Sequence, residues 1–234
     1  MITSHPNILI TGASNGIGLA LTKYFLQHTQ FTVIAVARSM QTSMQNIQPD
    51  YQHRVIPLTL DLNHPESITI IRDSIAQLGK LQYLINNAGV IYPQSIEKTT
   101  DEELRIQFET NLISPYRMIR ELIPFLTSPS HIVNITSMGG VQGSVKFPGL
   151  SAYSASKGAL NILTECLAME LYDRNIKVNA LALGAVQTAM LEKTFPGYHT
   201  DVTTTEMASY IAHFVIEGYH LCNGKIFPIS TSTP

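Results

Sequence analysis

The sequence predicts an α/β fold: a doubly wound, seven-stranded parallel sheet with helices on both faces, in a single domain. Three observations carry this. Short runs rich in Val, Ile and Leu alternate with helical patterns, and those runs are apolar on both faces, as strands covered from two sides must be. A glycine-rich turn joins the first run to the first helical pattern. No repeat, low-complexity tract or linker divides the 234 residues, a length that one body of roughly 17 Å radius of gyration accommodates.

The elements follow in order. Residues 7–11 form the first strand, and residues 19–27 carry apolar side chains at helical spacing. Residues 31–37, 54–60 and 81–85 give the next three strands. The helix between the last two is announced by Asn63 as cap, Pro65 in the first turn and Glu66 behind it. Another helix begins near Thr100-Asp101-Glu102-Glu103 and runs into Ile123, where Pro124 disturbs it. Residues 131–136 are the fifth strand, 151–172 a long helix holding Cys166 as a small core residue, 176–182 the sixth strand and 225–229 the seventh.

Composition narrows the function. Fifteen Lys+Arg face 17 Asp+Glu, for a net charge of −2, and the basic residues are scattered; nucleic acid is a poor partner for such a surface. No apolar run approaches the roughly 20 residues that cross a bilayer, so no membrane role is expected. Two cysteines cannot make a disulfide framework, and the opening residues lack the charged start and apolar run of a secretory leader. A cytoplasmic protein is expected. The eight histidines form no metal-binding pattern.

Thr11-Gly12-Ala13-Ser14-Asn15-Gly16-Ile17-Gly18 lies between the first strand and the first helix. There, Gly12, Gly16 and Gly18 allow a tight turn and close backbone approach, while Ser14, Asn15 and Ile17 lead into a helix N-terminus that suits a pyrophosphate. The spacing Gly-x-x-x-Gly-x-Gly differs from Gly-x-Gly-x-x-Gly, and a connection without a ligand is the plain alternative. The second strand ends Val36-Ala37-Arg38-Ser39 with no carboxylate. Since an acid there suits a free ribose hydroxyl and an arginine suits a phosphate, NADP(H) is favoured and NAD(H) remains possible; otherwise Arg38 is a solvated strand-end residue.

Tyr153 and Lys157 are four apart near the start of the long helix, hence on one face. A free phenol has a pKa of about 10, and a cation about 4 Å away at an effective dielectric near 20 is worth about 4 kcal/mol, or roughly three pK units. Such a pair can serve acid/base chemistry near neutral pH, although the same spacing is common on ordinary helices.

Four motifs then stand in order: the glycine turn, Asn86-Asn87-Ala88-Gly89, the strand ending Thr136-Ser137, and Tyr153-x-x-x-Lys157. Together, from residue 7 to about residue 190, they resemble the short-chain dehydrogenase/reductase family. The resemblance implies a Rossmann-type fold and an NAD(P)-dependent enzyme interconverting a small carbonyl compound and its alcohol. It implies that Tyr153 handles the substrate oxygen's proton, Lys157 tunes it and holds the nicotinamide ribose, Ser137 binds the reacting oxygen, and Asn111 helps a proton relay. It also implies that Arg38 and Ser39, Asp61 and Leu62, and Asn87, Ala88 and Gly89 meet the cofactor, and that Gly184, Val186 and Thr188 meet its nicotinamide end. Asp61 could instead cap the next turn, and Asn111 brace a helix kink. A homodimer or homotetramer through helices near residues 101–123 and 151–172 is implied as well.

Three departures stand out. The family's Pro-Gly is Leu183-Gly184 here, the stretch between Ser137 and Tyr153 is longer by about three residues around Ser144 to Pro148, and the common glycine pair near the C-terminus is missing. Met138, Val141, Phe147 and Met190 are candidates for an apolar pocket or simply pack the domain, and Tyr198 and His199, in the stretch between residues 188 and 205 that the resemblance makes a substrate lid, are candidates to touch substrate, with exposed loop residues the favoured alternative. A non-catalytic dinucleotide sensor on the same fold is the rival reading.

Overall fold

In a computed structural model describing residues 6–231, seven strands form one parallel sheet: β1 (Asn7–Thr11), β2 (Thr32–Ala37), β3 (Val55–Thr59), β4 (Leu81–Asn86), β5 (Leu126–Ser137), β6 (Ile176–Leu183) and β7 (Ile226–Ile229). Residues 1–5, part of the stretch read for a leader, lie outside it. The order is β3-β2-β1-β4-β5-β6-β7. The winding therefore reverses at β1, which pairs with β2 on one side and β4 on the other. Such a reversal opens a crevice beyond the strand ends, where ligands of these folds bind.

Alternate strand residues feed two cores. Ile8, Ile10, Val33, Tyr83 and Leu181 face helices α1 (Gly16–His28) and α8 (Thr204–Glu217), which contribute Leu21, Phe25, Met207 and Ile211. Leu9, Ile34, Leu84, Ile132 and Val178 face α3 (Pro65–Leu78), α5 (Ser114–Leu122) and α6 (Ser151–Glu170) through Ile71, Ile75, Met118, Leu122 and Leu167. Two-sided burial is why these strands read as continuous apolar runs.

The short helices are α2 (Met40–Met44), α4 (Asp101–Phe108) and α7 (Ala189–Thr194). Thr100 starts α4 with a reciprocal capping box to Glu103.

Several expectations need correction. The cap position of α3 is His64, without a side-chain bond; Asn63 Oδ1 instead accepts from Thr110 Oγ1 at 2.7 Å, a partner 47 residues away. The helix expected from Thr100 to Ile123 is interrupted by a π turn, Glu109–Ile113, that separates α4 from α5. Cys166 is exposed on α6 because it falls on the outer stripe. No helix among the described residues is long and apolar enough to cross a membrane.

Candidate active site

A cleft of about 770 Å3 opens beyond the C-terminal ends of the strands, within the size range of ligand sites. Every candidate catalytic or cofactor-binding residue except Gly18 and Asn111 lines it. At one end lies the turn after β1. Gly12 and Gly16 have φ of +67° and +51°, values that side chains disfavour. A Cβ at Gly12 would lie 2.9 Å from Ala88 Cα, and one at Gly18 only 2.2 Å from the Gly12 carbonyl oxygen. Gly18 is therefore needed behind the surface, so that α1 can close on the turn. No side chain caps the start of α1, which leaves first-turn N–H groups and the positive helix end directed at this crevice.

The β4 end fixes the opposite wall. Thr11 Oγ1 accepts from the N–H groups of Asn87 and Ala88, each at 3.0 Å, and Asn87 Nδ2 donates to the Thr11 carbonyl at 2.9 Å. Ser14 is held through its carbonyl, which accepts from Ser43 Oγ at 2.8 Å. Arg38 follows β2 as an exposed residue, and Ser39 is the cap position of α2. Asp61 Oδ1 accepts from Asn63 N–H at 3.0 Å, the turn-capping alternative, while Asp61 and Leu62 still border the cleft.

At the inner end, Ser137 finishes β5 and Tyr153 and Lys157 rise from the first turns of α6. Gly139 and Gly140 let the turn after Ser137 lie on α6: a Cβ at Gly140 would be 2.7 Å from Gly158 N. Tyr153 is hydrogen-bonded to Ser137. Lys157 is buried, and its Nζ donates to the Ile135 carbonyl at 2.9 Å and sits 6.0 Å from the Tyr153 ring centroid.

These contacts change the expected electrostatics. The lysine ammonium is hydrogen-bonded to the carbonyl of Ile135 near the end of β5. Burial pushes Tyr153 above its ordinary value, with the Ser137 hydrogen bond opposing, and burial pulls Lys157 down to about 8.

Asn111 stands in the π turn, completely buried. Its Nδ2 donates to the Val90 carbonyl and to Ser156 Oγ, both at 3.0 Å, and its Oδ1 accepts from Val90 N–H at 2.9 Å. It braces the irregular helix and also reaches the site: a Cβ at Gly89 would lie 3.3 Å from both Asn111 Oδ1 and Lys157 Nζ.

Beyond β6 the chain departs without distortion at Leu183. That residue pairs with Ile229, and Gly184 N–H donates to the Ile229 carbonyl at 2.8 Å. Val186 packs into the core and Thr188 Oγ1 accepts from Leu191 N–H at 3.2 Å to cap α7; what Val186 and Thr188 chiefly offer a ligand is backbone.

Sequence reasoning missed a buried polar chain that locates α6. Asn86 Nδ2 donates to Asn134 Oδ1 (2.8 Å), Asn134 Nδ2 to Thr164 Oγ1 (2.9 Å) and Thr164 Oγ1 to the Leu160 carbonyl (2.8 Å). It also missed Phe195, which borders the cleft mouth. Val141 and His199, by contrast, do not line the cleft.

A seven-stranded doubly wound sheet with a glycine turn at its switch point and a Ser/Tyr/Lys group at its fifth crossover defines a Rossmann-type protein of the dehydrogenase class. The model of the short chain dehydrogenase family matches residues 6–199, and the chain belongs to this oxidoreductase family. It is 32% identical over 190 residues to a 3-oxoacyl-(acyl-carrier-protein) reductase of Thermotoga maritima, covering 79% of this chain and 76% of that one. The chain spans between 65% and 79% of the length of the curated relatives it matches. Among solved structures, a short chain dehydrogenase of Burkholderia cenocepacia in complex with NADP has a TM-score of 0.86 at 24% identity, covering 96% of both chains. A 3-ketoacyl-(acyl-carrier-protein) reductase of Brucella melitensis complexed with NADH has a TM-score of 0.85 at 25% identity, again over 96% of each.

Proposed function

We propose that residues 1–234 act as one dinucleotide-binding oxidoreductase domain that reduces a small carbonyl compound to its alcohol with NADPH, or runs the reverse. The observation that carries this reading is the meeting of hydrogen-bonded Ser137 and Tyr153 with buried Lys157 at the inner end of a cleft whose other end is the glycine turn.

The residues fit a dinucleotide. The cradle that a Cβ would fill at Gly12, and the uncapped start of α1, suit a pyrophosphate. Gly12, Ser14, Asn15, Gly16, Ile17 and Gly18 build that subsite. Asp61 and Leu62 border the adenine, Asn87, Ala88 and Gly89 flank the middle, and Gly184, Val186 and Thr188 border the nicotinamide end. Arg38, beside Ser39 and with no carboxylate at the end of β2, favours NADP(H) over NAD(H) because a guanidinium pairs with phosphate in fork geometry. The Burkholderia and Brucella neighbours hold NADP and NADH respectively, so family membership alone leaves this choice to Arg38.

When bound, the dinucleotide supplies the hydride for the substrate carbon. Ser137 Oγ holds the substrate oxygen. The Tyr153 phenol, kept protonated at neutral pH by its raised pKa, donates its proton to that oxygen as negative charge develops. Lys157, still mostly charged at pH 7, stabilises the phenolate left behind and binds the nicotinamide ribose. Asn111 acts by position, holding the Val90 backbone beside Lys157 for a relay that returns the proton.

The exposed Leu104, Tyr116, Ile162 and Met169 on α4, α5 and α6 support a homodimer or homotetramer through these helices, in the cytoplasm. The functional reading is tested by following nicotinamide absorbance over a panel of carbonyls and alcohols with both cofactors. The expected result is NADPH-dependent turnover; failure of the protein to bind either dinucleotide overturns it.

A further inference from the structure

Two rings from different elements meet at the cleft mouth. Phe147, in the stretch lengthened between Ser137 and Tyr153, contacts Phe195, just past α7, edge to face with centroids 5.4 Å apart at 68°. Phe147 is 52% exposed, so the contact leaves much of its ring free for another molecule. Val145, Leu150, Met190, Leu191 and Tyr198 continue this wall. The Tyr198 phenol is the single ionisable group among these seven.

The neighbouring cation is turned away from the mouth. Lys146 Nζ donates to the carbonyls of Val141 (2.6 Å) and Ser144 (3.1 Å) and to Ser144 Oγ (2.6 Å). On the other side, Leu150 N–H donates to the Phe147 carbonyl at 3.2 Å, and Gln94 N–H donates to the Gly149 carbonyl at 3.0 Å. The stretch that presents Phe147 is therefore tied down at both ends, which preorganises the ring.

Resting on the carbonyl-reductase reading, we propose that the substrate is an uncharged carbonyl compound bearing an aromatic or bulky hydrocarbon group. This group lodges against Phe147 and Phe195 while the carbonyl reaches Tyr153 and Ser137. An aromatic ring there gains apolar burial and edge-to-face contact. A carboxylate or phosphate at the same place loses water without gaining a charged partner. Phe147 and Phe195 set specificity and take no part in proton transfer.

The test uses the wild-type protein with NADPH and three ketones: benzylacetone, the α-keto acid in which its methyl is replaced by carboxylate, and butanone, which lacks the ring. Benzylacetone is expected to exceed butanone in kcat/KM by about tenfold or more, as fits the loss of one aromatic contact, and to exceed the keto acid as well, whose carboxylate would lose water without a charged partner. Phe147→Ala is expected to raise its KM about tenfold while changing kcat less, and Phe147→Leu to recover most of that loss. A keto acid used as well as benzylacetone, or equal KM effects of Phe147→Ala on benzylacetone and butanone, overturns the assignment and leaves carbonyl reduction standing. No turnover of any of the three overturns it too; loss of dinucleotide binding in addition removes the functional reading beneath it.

Discussion

At the β1 end of the cleft the wall is backbone, with Gly12, Gly18 and Ala88 packed so closely that a carbon added at either glycine collides. At the β5 end the wall is side chains: Ser137, Tyr153, Lys157 and, further out, Phe147 and Phe195. A backbone wall tolerates almost no substitution but asks little of sequence elsewhere. A side-chain wall depends on how distant elements are held, and its chemistry is set by burial as much as by residue type.

The sharpest way to break this contrast is Tyr153→Phe, which removes one oxygen from the side-chain wall and nothing from the backbone wall. Turnover should fall about 10²- to 10⁴-fold, while NADPH affinity, read by calorimetry, stays within about twofold. Comparable loss of both would mean that the two ends are not separable.

Gly18→Ala probes the other wall. Its Cβ would stand 2.2 Å from the Gly12 oxygen, and backbone cannot yield as a side chain does. A stability loss of about 2–3 kcal/mol in urea unfolding is expected, with weakened dinucleotide binding; an unaltered midpoint would show that the turn yields to the added methyl.

His131 tests the framework behind the side-chain end. It is fully buried on β5, where Nδ1–H donates to the Val215 carbonyl (3.0 Å), which leaves Nε2 to accept from Asn179 Nδ2 (3.0 Å). Burial drives its pKa from 6.5 to about 4. The unfolded chain therefore binds the extra proton first, and the stability that neutral His131 confers at pH 7 is lost as pH falls from about 6.5 toward 4. Between pH 7 and pH 5 this amounts to about 2 kcal/mol. His131→Gln should flatten the urea midpoint over that interval, and an unchanged pH slope would remove this histidine as its source.

The smallest expected effect is at Arg38. Arg38→Ala should weaken NADPH binding about tenfold with little change for NADH, as loss of one phosphate-paired guanidinium implies. Titrations of both cofactors measure it; an unaltered preference rules Arg38 out as the selector.

The sequence made the backbone end far more legible than the side-chain end. The glycine turn is contiguous, and β1, β2 and β4 announce themselves because they are buried on both faces. Helix α8 went unread despite Thr203 and Glu206, whose reciprocal capping box was the available signal. The π turn at Asn111 has no local signature, since its cause lies in bonds to Val90 and Ser156. The partners of Asn86, Asn134 and Thr164 stand 48 and 30 residues apart, so only the fold reveals them. The Tyr153–Lys157 spacing was readable, yet the lysine's bond to Ile135 and the burial that raises the phenol's pKa were not.

The Asn86–Asn134–Thr164 chain runs through otherwise greasy layers like a key in its slot. A helix resting on a smooth oily surface can slip by one residue or roll at little cost, whereas these hydrogen bonds close in a single alignment. The proton-handling pair is thus indexed to the centre of the sheet rather than to the loops around it. Evolution can remodel the entrance for new molecules while the donor stays where it was.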